Sequence, residues 1–352
     1  MWAGFAAYLV VLWAAPRLGR RVVCSLILAL VAGFAIAPVL LSHDVYSYVD
    51  YARLGVRHGL DPYVHPPLAA PNDPAYAEVT WTEATSAYGP LFTLATYPLA
   101  WLPVGLAVAL LKAVAALSVL GVAILTARIA AWRGIDPLRA AAFVALNPLV
   151  LVHVVGGAHN DGLMMLLAML AVAATLSARE LVGGAAFAAA IATKLSAVFV
   201  APFALVGTRS KGRLAAGFLV TALAIAAGAY LVFGWDWLHG FGLAGENQSR
   251  TSHMSIPITA ARLTGLGAGG VRLAAAVLFA ALVIYLLAWT ARGNDWVRAA
   301  AWTAFALLIA TAWLLPWYLI WPLPLVAISR DRPLQLLTLA LTAYQLGARI
   351  PL

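Results

Sequence analysis

Charge-free apolar runs alternate with short polar clusters along the whole chain. Residues 22–41 make twenty positions without one charged side chain, and a helix of that length crosses a hydrocarbon core. Residues 214–235, 273–291 and 299–329 are equally free of charge. Residues 1–15 carry no charged leading segment and read as a short first span rather than a signal peptide. The pattern predicts an all-α, polytopic membrane bundle of about 10–12 segments. No linker or low-complexity tail divides it, so residues 1–352 are expected to form a single domain.

The polar clusters then decide where chemistry can sit. Ser42-His43-Asp44-Val45-Tyr46-Ser47-Tyr48-Val49-Asp50-Tyr51-Ala52-Arg53-Leu54 follows directly on the apolar run. Wound as a helix, it sets Asp44, Tyr48 and Tyr51 on one face and Asp50, Arg53 and Arg57 on another. An acid at a helix start can serve the helix dipole alone. The aromatic and cationic groups behind this one favour a site. Lys194 interrupts residues 181–207, which read as two half-spans turning at that lysine. A charge at membrane depth costs about 2.5–3.5 kcal/mol on insertion scales and is functional by default.

Loop charges orient the bundle. With Arg17, Arg20 and Arg21 inside, Asp44 emerges outside, and residues 88–103, with Pro90, Pro98 and Pro103, lie in the interface or re-enter. Of the 22 basic residues, fourteen then fall inside, six outside, and Lys112 and Lys194 within the membrane. The outer loop 42–103, the turn Gly156-Gly157-Ala158-His159-Asn160-Asp161, the loop 234–257 and Trp317-Tyr318 all meet at the outer face of the cell membrane.

Composition agrees with a membrane protein: 64% of residues are hydrophobic and 10% charged, against roughly 45–50% and 25% in soluble domains. The single cysteine, Cys24, excludes an intrachain disulfide and a cysteine metal cluster. The net charge of +9 orients the protein in the membrane rather than marking a nucleic-acid partner. No Walker loop, strand-linked GxGxxG or His-Glu-x-x-His motif is present, and the inner loops leave no room for a nucleotide domain. A donor reachable from outside is therefore expected to ride on a lipid. A phosphate leaves as a stable anion, so one base and a cation suffice where a glycosidase needs two carboxyl groups. Asp44 is the candidate base. Candidate substrate contacts are His43, Tyr48, Arg53 and Tyr88, then His159, Asn160 and Asp161. Lys194, Arg250 and His253 add groups for an anion, and Trp317 and Tyr318 add an aromatic platform for sugar.

The segments His43-Asp44-Val45-Tyr46-Ser47-Tyr48, Gly59-Leu60-Asp61-Pro62-Tyr63, Tyr88-Gly89-Pro90-Leu91-Phe92, Asn147-Pro148-Leu149, Gly156 to Asp161 and Pro316-Trp317-Tyr318 resemble, in order, the polyprenyl-phospho-mannose-dependent α-1,6-mannosyltransferases of actinobacteria, within the GT-C superfamily. The resemblance implies a GT-C fold with in-plane helices in the first outer loop. It also implies inverting transfer of a sugar, most of all mannose, from a polyprenyl-phosphate carrier to a glycan or glycolipid acceptor, with Asp44 as base. The family often carries a second acid beside the first. Here His43 and Tyr46 stand near Asp44, leaving Asp50 or Asp161 as substitutes and a divalent metal without a strict acidic pair. A transporter or flippase of a lipid-linked or small polar solute is the alternative. It should show inverted repeats and midplane charges, whereas no repeat is found and only Lys112 and Lys194 lie deep.

Overall fold

The computed structural model describes residues 2–246 and 250–347. It is helical throughout, with no strand among the described residues. In chain order the helices are α1 (Trp2–Ile36), α2 (Asp44–Arg57), α3 (Pro90–Thr96), α4 (Val104–Trp132), α5 (Pro137–Ala145), α6 (Asp161–Leu176), α7 (Glu180–Thr193) and α8 (Ala201–Gly207). Then come α9 (Lys211–Phe233), α10 (His239–Glu246), α11 (Ile256–Thr264), α12 (Ala268–Ala291), α13 (Trp296–Ala310), α14 (Leu323–Ile328) and α15 (Arg332–Gly347). Helices α1, α4, α9 and α12 are each long and apolar enough to cross a membrane. The other expected segments are shorter apolar helices, broken where the sequence turns polar or carries proline.

α1 is two helical limbs joined at Gly19, whose φ of 75° takes the left-handed region that glycine enters without strain. The arginines at positions 17, 20 and 21 surround that break and are exposed. The expected turn at Lys194 is present. α7 ends at Thr193, Lys194 is extended, and a 3₁₀ turn (Leu195–Phe199) leads into α8. Thr208, just past α8, donates to Glu180 at the start of α7 (3.4 Å), so the chain returns to the level it left. Residues 88–103 do not span either. They form α3 and a 3₁₀ segment (Tyr97–Trp101), and seven residues of helix reach only about 10 Å.

Small residues let these pieces pack closely, as membrane helices require. A Cβ at Gly184 of α7 would overlap the Leu214 carbonyl of α9, and one at Gly217 of α9 would overlap the Leu181 carbonyl of α7. The main core joins both limbs of α1 with α4, α5, α6, α13 and α14.

Polar clusters occupy two ends of α4. Near its start, the Lys112 ammonium donates to the carbonyls of Ala37 and Pro38, which explains this deep lysine as a clasp on the end of α1. At its far end Arg133 donates to the Ile328 carbonyl (2.7 Å) and pairs with Asp295, while Arg298 pairs with Asp331 (2.7 Å). The two ends stand about 30 Å apart, one hydrocarbon thickness.

Candidate active site

Asp44 is the first residue of α2 and sits at the edge of a cavity of about 620 Å³. Its Oδ1 accepts from the Trp81 indole N–H (3.3 Å), and its backbone N–H donates to Ser42 Oγ (3.4 Å). Its Oδ2 lies 3.7 Å from His159 Nδ1. Burial raises the Asp44 carboxyl above the usual range, while the charge of Lys194 and the Trp81 hydrogen bond pull the other way. A raised value makes a stronger base, which suits proton abstraction near neutral pH.

The turn after the π-helical segment Val150–Val155 delivers His159, Asn160 and Asp161 together. His159 is buried and stacks on Trp317, with ring centroids 3.8 Å apart. Burial, helped by Lys194 and His153, holds its imidazole well below the ordinary histidine range, which favours the neutral ring. Gly157 makes room for it, since a Cβ there would lie 3.1 Å from the His159 ring and 2.6 Å from the His153 carbonyl.

Asp161 opens α6, where a carboxylate meets the positive end of the helix. It is fully buried. Its Oδ2 accepts from Lys194 Nζ (2.7 Å), and its Oδ1 accepts from the Trp321 indole (2.7 Å). Asn160 Oδ1 lies 3.5 Å from the same ammonium, and the Tyr318 ring centroid 5.6 Å from it. The backbone at the break is braced from outside, because Gly89 N–H donates to the Thr193 carbonyl (3.2 Å) and a Cβ at Gly89 would overlap Ala192. Lys194 is thus fixed by the helix break and by Asp161, with its charged end at the cavity.

The cavity is lined by both polar and apolar side chains. Asp44, Tyr88, Lys194, Arg250, Trp317 and Tyr318 line it. Arg250 stands 5.1 Å from the Trp81 ring centroid and 6.0 Å from that of Trp313. The lining also includes Leu195, Val198 and Phe199, Ala276 and Phe279 of α12, and Leu307 of α13. α12 is a membrane-length helix with little of its surface buried in the protein, so this wall adjoins lipid.

Seven expected contacts do not line the cavity: His159, Asn160 and Asp161 are buried beside Asp44 and Lys194, and four others lie elsewhere. Arg53 is buried against Asp73 (2.6 Å) and the Ala100 carbonyl (3.0 Å), where it ties α2 to its own loop. Tyr48 is buried behind the site, edge-on to Tyr88 and Phe92. His43 is exposed beside Tyr46 and Glu78. His253 is exposed, and its carbonyl accepts from Thr259. Among the described residues, no group of three or more His, Cys, Asp or Glu side chains gathers to hold a metal ion.

Residues 1–210 match the family model described as alpha-(1->6)-mannopyranosyltransferase, N-terminal domain. That stretch holds Asp44, the 156–161 turn and Lys194. The chain belongs to this family. It is 30% identical to alpha-(1->6)-mannopyranosyltransferase A of Mycobacterium tuberculosis, over 93% of this chain and 70% of that protein. It is 33% identical to alpha-(1->6)-mannopyranosyltransferase A of Corynebacterium glutamicum, over 50% of this chain and 36% of that one. Family membership makes the chain a membrane glycosyltransferase and decides against the transporter.

Two tryptophans that touch the acids were not anticipated, Trp81 on Asp44 and Trp321 on Asp161. An indole in a polar loop, such as Trp81 in Thr80-Trp81-Thr82-Glu83, is the signal that could have pointed to the first.

The loop also holds a carboxyl outside the cavity. Asp50 is fully buried, and neither of its oxygens has a hydrogen-bond partner among the described residues. Burial and neighbouring Asp73, opposed by His58 and Arg53, push it up to about 7. The folded protein therefore holds a proton that the unfolded chain releases near about 3.9. Stability from this group is greatest at low pH, falls as pH rises from about 4 to 7, and is level above that. Asp50→Asn is expected to flatten this slope and raise Tm at pH 8 relative to the wild type, measured by thermal unfolding in detergent at a series of pH values. A wild-type slope in the variant would place the proton elsewhere.

Proposed function

We propose that the protein transfers mannose from a polyprenyl-phosphate carrier to a glycan or glycolipid hydroxyl, with inversion, at the outer face of the cell membrane. The observation that carries this reading is one cavity lined both by Asp44 and Lys194 and by an apolar set that includes Leu195, Val198, Phe199 and Phe279. The Asp44 carboxylate takes the proton of the acceptor hydroxyl as that oxygen bonds to C1 of the sugar. The bond from C1 to the phosphate oxygen breaks, and its electron pair leaves on the phosphate. A single displacement from the face opposite the leaving group inverts the anomeric centre.

Lys194 meets the charge that develops on the phosphate. An ammonium has three donor protons. Asp161 and Asn160 engage two, which leaves the third for a phosphate oxygen. The leaving group departs as an anion, so no second carboxylic acid is needed to protonate it. The apolar wall between Leu195 and Phe279 suits an isoprenoid tail lying against lipid. The basic residues at the far end of α4 support an outward-facing cavity.

Purified protein in detergent, offered mannose on polyprenyl phosphate or on a nucleoside diphosphate, is expected to use only the lipid. Transfer from the nucleotide alone would sink this reading.

A further inference from the structure

Asp44 has a nitrogen-bearing ring on each side, and one of them donates to it. On one side Oδ2 faces the imidazole of His159 at 3.7 Å. On the other the Trp81 indole N–H donates to Oδ1. Trp81 is 40% exposed, so water could serve its N–H; the fold directs it onto the carboxylate instead. The loop that carries it is tied to the helix that carries Asp44, because the Tyr51 hydroxyl of α2 donates to the Ala84 carbonyl (2.7 Å). The Thr82 carbonyl accepts from Leu68 N–H (2.9 Å), which closes the loop on itself. Arg250 over the Trp81 ring face restrains the indole from the cavity side.

We propose that Trp81 is a positioning residue for the transfer: its indole N–H fixes the orientation in which the Asp44 carboxylate meets the acceptor hydroxyl. The inference rests on Asp44 being the base. It goes beyond that role by assigning the orientation of the carboxylate to a residue of the outer loop. An aspartate has two side-chain torsions, and a carboxylate at a cavity edge can turn either oxygen inward; a donor fixed to Oδ1 removes that freedom. The same hydrogen bond favours the charged carboxylate against burial, which works to neutralise it.

Trp81→Phe keeps a ring for Arg250 and removes only the N–H. It is expected to move the acid limb of the kcat profile upward by about one pH unit and to lower kcat about tenfold at neutral pH, with the KM for the lipid donor unchanged. Trp81→Leu, which also lacks the N–H, is expected to show the same limb and serves if the phenylalanine variant does not fold. A packing role alone would not move the acid limb. Folded Trp81→Phe with a wild-type acid limb and kcat would overturn the proposal. Asp44→Asn, measured in parallel, separates the two ideas. If it is inactive while Trp81→Phe behaves as wild type, only the role of Trp81 falls. If Asp44→Asn retains wild-type transfer, the base assignment falls and the positioning role with it.

Discussion

Asp44→Asn is expected to lower transfer by roughly 10²–10⁴-fold, the usual contribution of a positioned base, with folding and lipid-donor binding preserved. Asparagine keeps the shape and can still accept from Trp81. What it cannot do is take a proton. The expected signature is therefore a fall in kcat with little change in the donor KM, read from initial rates in detergent. Turnover near the wild-type rate in the folded variant would remove Asp44 from the mechanism. Burial disfavours the charged Asp44 carboxyl more than Lys194 favours it, so a neutral isostere should act on chemistry and not on stability.

Lys194→Met should differ, because this lysine serves both the phosphate and Asp161. The single substitution leaves the Asp161 carboxylate buried with its cation removed, which costs about 3–5 kcal/mol of stability. Trp321 still donates to Oδ1, but a hydrogen bond does not replace the charge. Lys194→Met combined with Asp161→Asn is expected to recover most of that stability, since the uncompensated buried charge is gone. Transfer should stay about 10²–10³-fold down in the double variant, the scale of losing one preorganised electrostatic contact to the leaving group. Thermal unfolding and donor turnover on the three variants separate the two roles. Activity restored together with stability would make Lys194 a purely structural partner of Asp161.

The break at Lys194 was legible because a lone charge in a long apolar run has few stable placements. Asp44 was legible for a related reason, as the first acidic residue after a span. Their convergence with the 156–161 turn followed from loop charges that put these pieces at one end. Partner choice within the outer loop was less accessible. Helical periodicity sets Arg53 on a face of α2 but says nothing about Asp73, twenty positions later in an irregular segment, which neutralises it. Tyr48 shares the Asp44 face by spacing alone, yet α3 packs over it and turns it into core. The His159–Trp317 stack joins residues far apart in the chain through two turns, a contact with no local pattern.

The most direct test of the account is the anomeric outcome of one reaction. Wild-type protein, purified in detergent, is given polyprenyl-phospho-mannose and an α-mannoside acceptor, and the configurations of donor and product are compared by NMR. A single displacement driven by Asp44 predicts a product with the opposite configuration at C1 and free polyprenyl phosphate in equal amount. A product that retains the donor configuration would require a second nucleophile and would contradict the mechanism built on Asp44 and Lys194.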